Sequence, residues 1–210
     1  METREAEEKL DLLLALEAPS EKDPVLDWEV VFGNRQPVEI EVGIGKGRFI
    51  IAAAQTRPLV NFVGVEWAAK YLRIALERSQ KRRLLNVRLV CTDAREFIEF
   101  FVPTGSVQAL HLYFPDPWPK KRHHKRRLFN AAFLDELWRI LEPEGRLWLA
   151  TDHDDYYAVM QEVLAADPRF REVAAEWGEV KTNYEVKYLN AGKPIYRRVV
   201  AKAESAEQEK

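Results

Sequence analysis

The chain has 210 residues, 47% hydrophobic and 31% charged, which describes one globular domain and excludes a disordered chain. Its one cysteine, Cys91, excludes an internal disulfide, and the acidic start METREAEEKL is unlike a secretory signal, so the expected location is the cytoplasm. The net charge of -2 means that any nucleic-acid contact must come from a local patch.

In chain order, EEKLDLLLALEA carries apolar positions at helical spacing and predicts an N-terminal helical extension within residues 1–27. From there to residue 202 the periods alternate. VEIEV (Val38–Val42) predicts a strand, then a glycine loop, then a helix over RFIIAAAQ. NFVGVEW predicts a second strand before the helix AAKYLRIALERSQKRR, and NVRLVC a third before AREFIEFF. VQALHLYF predicts a fourth, before the helix Asn130–Leu141. GRLWLAT predicts a fifth, before the helix DDYYAVMQEVLAAD. Then RFREVAAEWGEV and KPIYRRVVAK predict extended segments, the last an antiparallel strand at the sheet's end. Residues 203–210 are charged and small and read as a disordered tail. Strands alternating with helices predict an α/β domain over residues 28–202, with a mostly parallel sheet covered on both faces.

In such a sheet, ligands lie beyond the carboxyl ends of the strands. The first strand ends on Glu41 and the loop Gly43, Gly45, Gly47. Glu66 follows the second, 19 residues beyond Gly47, where a carboxylate can accept both hydroxyls of a ribose. Asp93, Asp116 and Asp152 follow the third, fourth and fifth. Asp93 and Asp152 also read as helix caps, since an acid there accepts backbone N–H groups. Successive acids would repel the pyrophosphate of a dinucleotide. They suit a ligand with an ammonium, a ribose and a positive centre, which describes S-adenosylmethionine. A nicotinamide dehydrogenase is the weaker alternative, because the loop reads G-x-G-x-G rather than G-x-G-x-x-G.

FPDPWPKKRHHKRRL follows the fourth strand. Pro115, Pro117 and Pro119 stiffen the turn that carries Asp116 and Trp118. Six of the eight residues Lys120–Arg127 are Lys or Arg. A charge run is ordinarily a solvated face. Beside an active turn it is the footprint of a phosphate backbone, and Lys121, Arg122, Lys125, Arg126 and Arg127 are the candidate contacts. Arg78, Lys81, Arg82 and Arg83 form a second cluster at a helix end, where they also complement the helix dipole.

Together, EVGIGKG, GVE, TDA, FPDPWPKKRHHKRRL, TDH and TNYEVKYLNAGKPIYR resemble the bacterial tRNA (guanine-N7)-methyltransferase family over about residues 28–198. The resemblance implies a Rossmann-like class I methyltransferase fold with a seven-stranded sheet. It implies methyl transfer from S-adenosylmethionine to N7 of a guanine, usually position 46 of the tRNA variable loop. On the same resemblance Glu41, Glu66, Asp93 and Asp116 meet the cofactor, with Asp116 also at the reaction centre. Lys120, Asp152 and Thr182, Asn183, Tyr184 and Glu185 meet the substrate. His153 and Tyr188 depart from the pattern, away from the chemistry. The expected partner is tRNA, with no metal and no membrane, and the chain is expected as a monomer or homodimer. A binding module without catalysis and a methyltransferase for a small molecule or a protein are the other readings. The acids weigh against the first and the basic run against the second.

Overall fold

The computed structural model describes residues 12–14 and 26–203, apart from residue 179. Seven strands form one sheet: β1 (Val38–Val42), β2 (Asn61–Val65), β3 (Val87–Val90), β4 (Val107–Tyr113), β5 (Leu141–Thr151), β6 (Phe170–Glu172) and β7 (Tyr196–Lys202). Their order is β3-β2-β1-β4-β5-β7-β6. The first five run parallel, and β7 is antiparallel to β5 and β6. The helices are α1 (Trp28–Phe32), α2 (Arg48–Thr56), α3 (Ala69–Lys81), α4 (Ala94–Phe101), α5 (Ala131–Ile140), α6 (Asp154–Ala165) and α7 (Asn183–Asn190).

The side-chain alternation of a strand sends β1 into two cores. Val38, Ile40 and Val42 join Phe97, Ile98, Leu134 and Leu137 of α4 and α5. On the other face, Phe62 and Leu89 pack with Ile50 and Ile51 of α2 and Ala75 of α3. Glu39 and Glu41 lie on that second face, where each meets α2 or the residue that ends it: Glu41 accepts the Ile50 N–H and Glu39 pairs with Arg57. All five residues of β1 and of β2 are buried, as strands covered on both faces must be.

The sheet and its antiparallel last strand agree with the sequence reading, except that β7 is inserted between β5 and β6 and the short β6 forms the sheet's end; the chain's start does not agree. Leu12–Leu14 is extended rather than helical. The Leu14 N–H donates to the Leu89 carbonyl at 2.9 Å and the Leu89 N–H to the Leu12 carbonyl at 2.8 Å. β3 is the edge of the sheet, and its free backbone groups outweigh a local helical period. The rest of the predicted extension up to residue 25 lies outside the described residues, as do residues 204–210 of the predicted tail. Helix α7 was not anticipated, although Thr182-Asn-Tyr-Glu185 spells a capping box. Both of its bonds form: Thr182 Oγ1 accepts the Glu185 N–H and Glu185 accepts the Thr182 N–H.

Candidate active site

The strand order places the five strand-end acids along one edge of the sheet, running Asp93, Glu66, Glu41, Asp116, Asp152. The connections change direction between β1 and β4, so Glu41 and Asp116 flank the switch-point crevice.

On one side of the crevice the acids are built into the protein. Gly43 and Gly45 have φ of 74° and 54°, and a Cβ on either would meet nothing within 4 Å. Conformation rather than crowding requires glycine there, and the space before the loop is open. Glu66 is half-buried; one carboxylate oxygen accepts the Gly45 N–H at 2.7 Å and the other the Ala68 N–H at 2.9 Å. Each oxygen keeps a lone pair for a ligand hydroxyl. Glu41 is 4% exposed and, among the described residues, accepts only the Ile50 N–H, at 3.1 Å. Burial, reinforced by the Glu66 charge and opposed by the Ile50 bond, pushes its carboxyl up to about 8. Asp93 caps α4 through the Arg95 N–H at 2.8 Å, so its capping reading is realised, without bearing on a ligand role. A cleft of about 440 Å³ opens beside the loop, lined by Glu41, Gly43, Gly45 and Tyr113 and, opposite, by Thr182, Asn183 and Tyr184. Lys46, Arg48, Tyr71 and Arg78 also line it, and Arg78 donates to the Lys46 carbonyl at 3.0 Å, clamping the loop. The sequence reading had placed Arg78 at a helix end only. Its reach to the loop is a tertiary contact with no local signal.

On the other side the groups are open. Phe114 and Trp118, at either end of the proline turn, have left-handed φ of 51° and 43°. A non-glycine residue held there costs on the order of 1 kcal/mol, and such strain gathers at functional sites. Asp116 is exposed and makes no hydrogen bond among the described residues. Residues Lys121–Arg126 form a 3-10 turn with Lys121, Arg122, Lys125 and Arg126 exposed, as is Lys120 before it. Trp118 lies among these cations rather than in the core: the Arg126 guanidinium is 4.9 Å from its ring centre and His123 meets it edge-on at 5.8 Å. Arg127 departs from the expected RNA contacts. It is 4% exposed, because Leu128 and Phe129 turn inward to the core directly after it.

The substrate-side candidates divide the same way. Glu185 is buried in the α7 cap and paired with Arg197. The Thr182 hydroxyl is spent on the same cap. Asn183 and Tyr184 are exposed, and the Tyr184 ring lies 6.0 Å from Phe114 and stacks 5.9 Å from Tyr188. Asp152 is half-buried and faces the Tyr188 hydroxyl, which burial and then this carboxylate hold above its ordinary value.

A larger cavity, about 740 Å³, lies over the strand middles between α2 and Trp177. Its Glu39 is satisfied, with His111 Nε2 at 2.8 Å and Arg57 beside it. Burial alone would raise that carboxyl, but these two partners hold it below its ordinary value. His111 Nδ1 meets the Tyr113 hydroxyl at 2.8 Å. This polar cluster is satisfied internally and reaches the strand-end cleft only through Tyr113, the last residue of β4, which leaves the crevice as the place for chemistry. At the start of α6, His153, Asp154 and Asp155 bring ligand-type atoms within 4.8 Å of one another, where acids also suit the helix dipole. Among the described residues no helix is long and apolar enough to cross a membrane.

Solved structures share the fold at low identity. TrmN from Thermus thermophilus superposes with a TM-score of 0.59 at 22% identity, covering 83% of this chain and 46% of that one. The 16S rRNA methyltransferase KamB superposes at 0.63 and 13% identity, covering 87% and 96%. Residues 35–198 match a family model described as a putative methyltransferase. A tRNA (guanine-N(7)-)-methyltransferase of Rubrobacter xylanophilus is 36% identical over 85% of this chain and 82% of its own length. One from Listeria monocytogenes is 35% identical over 91% and 92%. With the acid-lined crevice on a class I methyltransferase sheet, these similarities establish that the chain belongs to the tRNA (guanine-N7)-methyltransferase family.

Proposed function

We propose that this protein transfers the methyl group of S-adenosylmethionine to N7 of a guanine in tRNA, at position 46 of the variable loop. The observation that carries the reading is one crevice with two unlike walls: a cleft edged by built-in acids, and an exposed, unpaired Asp116 beside exposed cations. The cleft fits the cofactor. Glu41, with one hydrogen bond and a raised pKa, offers a place for an ammonium, and Glu66 for the ribose hydroxyls. Asp93 extends that acidic edge by one strand. Position 46 rests on the family resemblance.

When bound, S-adenosylmethionine supplies an electrophilic sulfonium methyl, which the in-plane N7 lone pair takes as the C–S electron pair returns to sulfur. The lone pair is free at neutral pH, so the protein needs no general base. Its task is alignment. The exposed turn cations hold the tRNA backbone, with Lys120 closest to the base. Tyr184 offers a stacking face for the base. Asp116 faces a purine that gains positive charge and stabilises it. Asp152 accepts the guanine N1–H and N2–H₂; it is better placed than Glu185, whose carboxylate is occupied by the α7 cap and Arg197.

Incubating the protein with methyl-labelled cofactor and bulk tRNA, then mapping the label by nuclease digestion, tests this. The expected product is N7-methylguanosine at position 46. Label at another guanine would refute the position, and label only in protein or small molecules would refute the substrate.

A further inference from the structure

We propose that Arg127 is a positioning residue for methyl transfer, holding the Asp116 turn in place through the Pro117 carbonyl; this rests on the reading of Asp116 as the charge-stabilising group. Prolines make the turn locally stiff, but they also strip it of donors. Among the described residues no backbone–backbone hydrogen bond involves residues 115–119; the strand's last is from the Phe114 N–H to the Ala150 carbonyl. Among the described residues one hydrogen bond ties the stretch to the body of the protein: Arg127 Nε donates to the Pro117 carbonyl at 2.8 Å. A stiff segment on a single tether has its orientation set by that tether.

The tether is itself held. Arg95 Nη2 donates to the Arg127 carbonyl at 2.7 Å, and the Arg95 N–H is the one that Asp93 caps. The bonds therefore run from Asp93 at the end of β3, through Arg95 and Arg127, to the residue after Asp116. They link the acid at the end of β3 to the turn that carries Asp116.

The energetics point away from a purely structural role. Arg127 is 4% exposed, so its guanidinium is almost wholly removed from water. It has no ion pair among the described residues, and its Nη2 is buried without a hydrogen-bond partner. Its guanidinium lies 4.8 Å from the Tyr156 ring centre, which offsets part of the desolvation. An apolar side chain would fill the same space without an unpaired charge. The guanidinium is accounted for by what its Nε holds.

Three variants separate the possibilities. Arg127→Gln places its amide nitrogen the same number of bonds from the backbone as Nε, keeping a donor while losing the charge. Arg127→Met removes both, and Arg127→Lys keeps the charge. Single-turnover rates are measured at saturating tRNA and cofactor, alongside both affinities, a salt titration of tRNA binding and the melting temperature. The expected result for Arg127→Met is a rate loss of about 10–100-fold, the range for a misplaced catalytic group, with both affinities within about 2-fold. Arg127→Gln should recover part of that rate. Combined with Asp116→Asn, the loss in Arg127→Met should shrink, because both act through one group.

A parent-like rate in Arg127→Met overturns the proposal. So does a tRNA salt slope lowered by about 1 in the Gln and Met variants but not in Lys, which would make Arg127 an RNA contact. Equal falls in melting temperature, both affinities and rate, without recovery in the Gln variant, would leave only a packing role and overturn it too. Should Asp116→Asn itself keep the parent's rate, the reading of Asp116 falls and this proposal with it. A slow Asp116→Asn beside a fast Arg127→Met removes the positioning role alone.

Discussion

On the glycine-loop wall of the crevice, carboxyl groups are drawn inside the protein and bonded to backbone amides: Ile50 for Glu41, Gly45 and Ala68 for Glu66. On the facing wall, Asp116 and the cations of the 3-10 turn stand in solvent, and aromatic rings rather than amides accompany them. The difference follows from what each wall must meet. A small ligand can be enclosed, so its partners can be desolvated and fixed in advance. A polyanion arrives from solvent and is met by charges that remain hydrated until contact. The two walls should therefore fail differently when altered.

The sharpest break should come at Asp116. Asp116→Asn keeps the shape and removes the charge facing the purine. The expected loss is on the order of 10²–10³ in single-turnover rate, with both ligands still bound. Equal loss of cofactor affinity would move Asp116 to the enclosed wall and blur the division. The parent's rate should also stay flat through about pH 6.5, where free histidine titrates. A steep rise there would point to His111, His123, His124 or His153 as a general base and overturn this mechanism.

Replacing Lys121, Arg122, Lys125 and Arg126 together by Ala should lower the salt slope of tRNA binding by about 3–4 and leave cofactor affinity alone. An unchanged slope across the titration would reduce the turn to a solvated face.

The last effect, on stability rather than on rate or tRNA binding, belongs to Glu41. Its carboxyl has an ordinary value of 4.5 and titrates near 8 in the free protein, so it is protonated when folded and ionised when unfolded at neutral pH. The folded state then holds the extra proton, and stability falls as pH rises between these values. The contribution is fully present below about 4.5 and lost as pH rises through about 8. Denaturant unfolding of the parent from pH 5 to 9 should show this decline, and Glu41→Gln should lack it. Parallel curves would mean that burial does not hold the proton. Binding an ammonium beside Glu41 should release that proton, visible as a buffer-dependent binding heat near pH 7.

Strands β1 to β5, their helices, the antiparallel β7 and the acid at each strand end were legible in the sequence, because periodicity and strand-to-helix junctions are local properties of the chain. The same logic misread Leu12–Leu14, where the open edge of β3 supplied hydrogen bonds that no local period reveals. It also grouped Arg127 with its exposed neighbours. Eight cations and histidines in a row look alike as sequence; only the inward turn at Leu128 and Phe129 separates the one that is buried under the Pro117 carbonyl from those that face solvent. The sequence thus determined which acids stand at strand ends. The strand order decided that Glu41 and Asp116 share a crevice. Packing around Tyr156, α2 and α7 decided which charges are enclosed and which stay free, because burial depends on neighbours distant in the chain.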